Sequence, residues 1–241
     1  MSAADIARDT FQRHITENAY PGRGVVVGRD GSGAWVLIYW IMGRSDNSRN
    51  RRFTVAGGVV RTEPVDLSKV EDPSLIIYEA LLERLGVQIV TNGDQTRTIH
   101  DALAAGGSFA SALMTRDREP DAPSYTPRIS GMLDLSGAEP SVQLAILKAD
   151  RCDPARTDRA FFCPPPPTAG IGYGLTTYMG DGNPLPSFTG DPLLLPCVGT
   201  PVEILDAYWN ALDDDNRISL AVKSVAPDGT TAELLVRNRH D

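Results

Sequence analysis

The residues best suited to chemistry are four arginines in one short stretch. Arg44, Arg49, Arg51 and Arg52 follow Gly43 and are interspersed with Ser45, Asp46, Asn47, Ser48 and Asn50. A guanidinium grips phosphate or carboxylate oxygens in pairs, and small residues between arginines let the backbone approach an anion as well. The pattern favours a phosphorylated small molecule. A solvated arginine face is the plainer reading, since the chain uses twenty Arg against three Lys. Further candidates are the polar turn Thr91-Asn92-Gly93-Asp94-Gln95 and the run Tyr125-Thr126-Pro127-Arg128. In this last run the proline holds Thr126 extended, so that Arg128 enters the next strand from a stiff approach.

The arginine loop must be positioned by what precedes it. Val25–Val27 and Trp35–Met42 are apolar runs flanking the turn Arg29–Gly33, which predicts a β-hairpin. Trp35–Met42 shows no polar alternation, so its strand should be covered on both faces. Residues 2–18 suggest a short polar helix with Ile6, Ala7, Phe11 and Ile15 along one side. Phe53–Val60 and Val65 give strand signals around Gly57-Gly58. Asp72-Pro73-Ser74 reads as a helix start, and Leu75, Tyr78, Leu82 and Leu85 recur at helical spacing up to Gly86. On that stripe Tyr78 is equally a core tyrosine with a satisfied hydroxyl.

Val87–Val90 then predicts a strand, followed by helices near Gln95–Ala105 and Ser108–Thr115. Ile129–Leu135 and Val142–Lys148 are further strands. Pro164–Pro201 holds nine prolines and seven glycines in 38 residues yet is rich in Tyr, Phe and Leu, which suggests an ordered covering loop. Its Gly170-Ile171-Gly172-Tyr173-Gly174 run lacks the strand–turn–helix setting of a dinucleotide fingerprint. Thr200-Pro201-Val202-Glu203 is a capping box opening a helix to about Leu212, and Ile218–Val225 with Thr231–Arg237 closes the chain as a hairpin. With no internal repeat or clear linker, residues 1–241 read as one α+β domain with mostly antiparallel strands.

Composition narrows the function. A net charge of −8 argues against general nucleic-acid binding, which needs a broad basic surface. Three cysteines, Cys152, Cys163 and Cys197, fit neither a disulfide framework nor a zinc site and suggest a reducing, cytoplasmic setting. No stretch approaches the ~18 apolar residues of a membrane helix, and the N-terminus lacks a signal-peptide core. His14, His100 and His240 are too scattered for a metal cluster, and no G-x-S-x-G, P-loop or H-E-x-x-H occurs. What remains is arginine, tyrosine, amide and carboxylate chemistry, with no metal or organic cofactor expected.

Tyr20-Pro21-Gly22-Arg23, Gly43-Arg44-Ser45 with Asn50-Arg51, Tyr78, Asn92-Gly93-Asp94-Gln95 with Thr98-Ile99, and Thr126-Pro127-Arg128-Ile129 stand in the order seen in archaeal-type IMP cyclohydrolases. The resemblance covers roughly Tyr20–Gly131. It implies a four-layer αββα sandwich similar to the N-terminal-nucleophile hydrolases, and closure of formyl-AICAR to IMP with loss of water. Under it, Arg44 and Arg128 anchor the substrate, and Tyr78 resembles the family's active-site tyrosine. Asn92 and Asp94 read the carboxamide or ribose, with Arg23, Ser45, Arg51, Gly93 and Tyr125 as further contacts. Asp94, Asp121 and Asp181 are all candidates for a catalytic carboxylate.

A nucleotide substrate is thus the expected partner, and a homo-oligomer is possible. The alternatives are a ring-closing relative in a specialised nucleoside pathway, a nucleotide-binding module, and an amide hydrolase using an N-terminal nucleophile. The hydrolase would need Ser2 delivered by a buried strand, whereas the residues after Ser2 look helical.

Overall fold

The computed structural model describes residues 1–70 and 76–241. The chain opens with α1 (Ala3–Phe11), capped by Ser2 in a reciprocal box with Asp5, and one π-helical turn, Gln12–Thr16, extends it. β1 (Gly24–Arg29) and β2 (Trp35–Met42) then form the expected antiparallel hairpin, with Val25 opposite Tyr39. All of β2 is buried. A single turn, α2 (Asp46–Arg49), lies in the arginine loop, followed by β3 (Arg52–Ala56), β4 (Val59–Glu63), β5 (Tyr78–Arg84) and β6 (Val87–Thr91). Next come α3 (Gln95–Ala104), α4 (Phe109–Met114), β7 (Arg128–Asp134), β8 (Ser141–Ala149) and β9 (Thr157–Phe162). The chain ends with β10 (Ile171–Thr176), β11 (Leu193–Pro196), α5 (Pro201–Ala211), β12 (Arg217–Val225) and β13 (Thr231–Asn238).

These strands make two sheets, ordered β11-β10-β1-β2-β12-β13 and β3-β4-β5-β6-β7-β8-β9. Every neighbouring pair is antiparallel. The second sheet is a meander in chain order, which short turns can connect. Alternation along β2 shows how the layers stack. Trp40 points outward to Tyr208 of α5, with ring centroids 5.9 Å apart, whereas Tyr39 points inward to Phe53 of β3 at 5.2 Å. Helices α1 and α5 cover the outer face of the first sheet. On the outer face of the second, Ile99, Phe109, Ala112 and Leu113 from α3 and α4 pack on Ile89, Met132, Ala145 and Leu147. The order is therefore helix, sheet, sheet, helix, as the resemblance implies. Two-sided burial explains the unbroken apolar run of β2, each such side chain contributing about 1.5–3 kcal/mol.

Two expectations are corrected. The helix read from Asp72 to Gly86 is not present where it is described: Tyr78–Arg84 is strand β5, while the proposed cap at Asp72-Pro73-Ser74, with Leu75, lies outside the described residues. The cause is a β-bulge. Val60 pairs with Leu81 and Arg61 with Glu79, so Ala80 is the extra residue, and Ala80 and Leu81 are both buried. A bulge breaks the period of two, and a strand buried on both faces then mimics helical spacing. Second, Pro164–Pro201 is not only a covering loop, because it contains β10 and β11. A Cβ on Gly172 would come within 2.7 Å of Val26 and 3.0 Å of the Cys197 sulfur. This glycine serves close packing of strands.

Candidate functional site

β1 and β7 start, and β2 and β10 end, at one edge of the sandwich, and the segments there enclose a cavity of about 380 Å³. Tyr20 and Arg23 line it from the lead-in to β1. Arg44, Ser45, Asn47 and Arg51 come from the arginine loop, Glu119, Asp121 and Thr126 from the approach to β7, and Tyr178 from the exit of β10. The hairpin therefore carries the arginine loop to the cavity, as its apolar strands require.

Arg51 is the most informative residue. It is only 5% exposed, and its Nε and Nη1 have no hydrogen-bond partner among the described residues. Asn47 Oδ1 is also buried and has no partner among them. A buried guanidinium without an acceptor is costly, and an anion entering the cavity would satisfy it. Burial, and next the nearby Arg23 charge, lower the Arg51 pKa from its ordinary value. Arg44 stacks on the Tyr20 ring at 4.9 Å, pairs with Asp181, and donates to the Gly182 carbonyl at 3.2 Å.

Arg23 faces Glu119 at 3.4 Å. Glu119 is 4% exposed, and burial raises its pKa above the usual carboxylate value despite Arg23. Such a group can keep a proton to deliver. Beside it, Asp121 accepts the Thr126 amide at 2.7 Å and the Thr126 hydroxyl, and the Thr126 Oγ1 lies 2.7 Å from the Tyr178 hydroxyl. Burial pushes the Tyr178 phenol up to about 12.

Of the residues named from sequence, Arg23, Arg44, Ser45 and Arg51 meet in this cavity, as do the candidate Asp121 and, through its pairing with Arg44, Asp181. Tyr78 does not line the cavity; its hydroxyl lies 2.6 Å from that of Tyr39. The Asn92 group forms a separate network. Asn92 donates to the Pro127 carbonyl at 2.8 Å and accepts from the Ile129 amide at 2.8 Å. Arg128 donates to Asp94 and Gln95, both at 2.8 Å, and to the Asp117 carbonyl at 2.9 Å, while Asp94 also binds Arg116 at 2.5 Å. A Cβ on Gly93 would lie 2.5 Å from Gln95 Oε1 and 2.7 Å from the Arg128 guanidinium, so a larger residue there would displace these two side chains. Tyr125 lies under Arg118 at 4.1 Å and does not line the cavity.

Sequence reasoning missed Glu119 and Tyr178. Glu119 sits in Arg116–Pro127, a charged and proline-rich loop by composition, and Tyr178 lies in the proline-rich segment with no periodic signal. Among the described residues, no group of three His, Cys, Asp or Glu is placed to hold a metal ion, and no helix is long and apolar enough to cross a membrane.

Fold and site together define an α+β sandwich with a cationic, carboxyl-containing small-molecule cavity at one edge. A family model described as "IMP cyclohydrolase-like protein" matches residues 20–229, and the chain belongs to that family. It is similar to the IMP cyclohydrolase of Methanothrix thermoacetophila, with 36% identity over 118 residues. That alignment covers 47% of this chain and 57% of the relative.

Proposed function

We propose that the protein closes the purine ring of formyl-AICAR to give IMP and water. The observation that carries this reading is the buried Arg51 guanidinium, unpartnered at Nε and Nη1 among the described residues, beside a cavity shared with Arg23, Arg44 and the protonatable Glu119. The size of the cavity lies within the range of ligand sites, roughly 300–1,000 Å³.

The carboxamide nitrogen and the formyl group already share one imidazole, so the bond-forming step is intramolecular and the protein's first task is to hold the reactive rotamer. Arg51 and Arg44 take the phosphate, with the Asp181 partner exchanged for the ligand. Arg23 and Glu119 face the formyl oxygen, where Arg23 stabilises developing negative charge and Glu119 supplies a proton as the oxygen leaves as water. Tyr78, through its bond to Tyr39, steadies β2, the strand that delivers the arginine loop. Arg128, Asp94, Asn92 and Gly93 shape the Asp117–Thr126 segment that carries Glu119, and Tyr125 stacks within it. In this reading they act on the substrate by placement.

Incubation of the purified protein with formyl-AICAR, with IMP followed by mass spectrometry, tests the reading. IMP should form well above the uncatalysed background, and equally in the presence of chelator. Binding of IMP without turnover would leave a nucleotide-binding module instead.

A further inference from the structure

We propose that Tyr178 is a catalytic residue that accepts the proton of the attacking carboxamide nitrogen and passes it through Thr126 to Asp121. This inference rests on the ring-closing reading. Its basis is the direction of three hydrogen bonds. The Asp121 carboxylate has only acceptors, and it takes both the amide and the hydroxyl hydrogen of Thr126. The single Thr126 hydroxyl hydrogen is then spent, so Thr126 Oγ1 can only accept, and the Tyr178 hydroxyl, 2.7 Å away, must donate to it. Tyr178 Oη is left with a lone pair and no hydrogen to offer. Tyr178 lines the cavity, so a ligand that reaches its hydroxyl meets an acceptor. Thr126 and Tyr178 are 4% and 5% exposed, and the Tyr20 ring stacks on Tyr178 with centroids 5.9 Å apart, so the chain of bonds is held rigid.

An acceptor of this polarity selects an N–H donor, which is what a carboxamide presents and a carboxylate does not. As the carbon–nitrogen bond forms, the carboxamide hydrogen moves to Tyr178 Oη. The Tyr178 hydrogen moves to Thr126 Oγ1, and the Thr126 hydrogen moves to Asp121. The formyl carbonyl opens to a hydroxyl, taking its hydrogen from Glu119. In the dehydration the relay runs back, the Asp121 hydrogen returning through Thr126 and Tyr178 to the hydroxyl as it leaves as water, while the formamide N–H hydrogen passes to Glu119. Two N–H hydrogens are lost, the formyl oxygen takes up two, and both carboxyl groups regain their starting states. Asp121 and Thr126 are positioning residues that set the direction of transfer.

Steady-state ring closure in Tyr178→Phe, Thr126→Val, Thr126→Ser and Asp121→Asn tests the relay, with thermal unfolding as the control. Positioned acid–base groups contribute roughly 10²–10⁴-fold. Tyr178→Phe and Thr126→Val should therefore lose about 100-fold or more in kcat with KM changed far less, and Thr126→Ser, which keeps the hydroxyl, should retain most of the rate. Asp121→Asn can accept the Thr126 amide and donate to its oxygen, which reverses the chain and turns Tyr178 into a donor. This variant should lose kcat and bind the imidazole carboxylate ribotide relative to the carboxamide ribotide better than the wild type does. Wild-type kcat in Tyr178→Phe, or Thr126→Ser as impaired as Thr126→Val, would overturn the relay while leaving ring closure intact. If Tyr178→Phe fails to fold, unchanged kcat and ligand preference in Asp121→Asn would overturn it. No turnover by the wild-type protein would overturn the ring-closing reading, and the relay with it.

Discussion

The hydroxyls of Tyr39 and Tyr78 meet 2.6 Å apart between the two sheets, both side chains buried. One comes from the strand that delivers the arginine loop, the other from the bulged strand facing it. Either Phe substitution strands the partner hydroxyl, so each single variant should lose about 1–3 kcal/mol of stability. The Tyr39→Phe/Tyr78→Phe double variant, which removes both groups, should be less destabilised than the sum, as a denaturant-unfolding cycle would show. Turnover should fall in Tyr78→Phe because the unpaired Tyr39 hydroxyl loosens the strand that delivers the arginine loop. Additive stability losses would mean that the hydroxyls do not interact.

The arginines should separate by role. Arg44→Ala removes a half-exposed side chain and should weaken substrate binding by about tenfold or more, the equivalent of a charged hydrogen bond, with the fold intact. Arg128 is 8% exposed, and its removal leaves Gln95 Oε1 and the Asp117 carbonyl without their donor and Asp94 with Arg116 alone. Arg128→Ala should therefore lower the thermal midpoint as well as activity. Calorimetry of both variants distinguishes the two outcomes, and an unchanged midpoint in Arg128→Ala would contradict its placing role.

Glu119 should give the activity a pH dependence. Its folded pKa is raised above the ordinary 4.5, so between those values the folded protein holds a proton that the unfolded chain has released. The associated stability is fully present below about 4.5 and is lost as pH rises through the folded value. Turnover that needs the acid form should fall through the same window. In Glu119→Gln that limb should disappear from the pH–rate profile, together with about 100-fold of the rate. A wild-type rate in the variant would remove Glu119 from the chemistry.

Ser2 should be idle in catalysis. Its amide and hydroxyl are bonded to Asp5 in the cap of α1, at 3.0 and 2.7 Å, and it does not line the cavity. Ser2→Ala should cost about 0.5–2 kcal/mol of local helix stability and leave ring closure unchanged. A substrate-derived mass adduct at the N-terminus would overturn this assignment.

The sequence made the hairpin, the arginine loop and most of the strands legible, because turn residues and two-sided burial leave strong local patterns. It misled at Tyr78–Arg84, where the Ala80 bulge gave a strand the spacing of a helix. It hid β10 and β11, because glycine and proline content reports the freedom of the backbone and not the pairing that long-range contacts impose. The site was half visible. Arg23, Arg44 and Arg51 stand in recognisable local runs, but only tertiary structure brings Glu119 and Tyr178 to them from positions far along the chain. Asn92, Gly93 and Arg128 carried family-like spacing, and the structure shows Asn92 bonded to the chain entering β7, Arg128 bonded to Asp94, Gln95 and the Asp117 carbonyl, and Gly93 close beside the Arg128 guanidinium.

The most direct measurement is the rate at which equal amounts of folded wild-type and Arg51→Ala protein convert formyl-AICAR to IMP under single-turnover conditions. The account expects rapid IMP formation by the wild type and a loss of about tenfold or more in the variant, whose buried cation no longer awaits an anion. IMP at only the uncatalysed rate with folded wild-type protein, or equal rates in the two proteins, would contradict it.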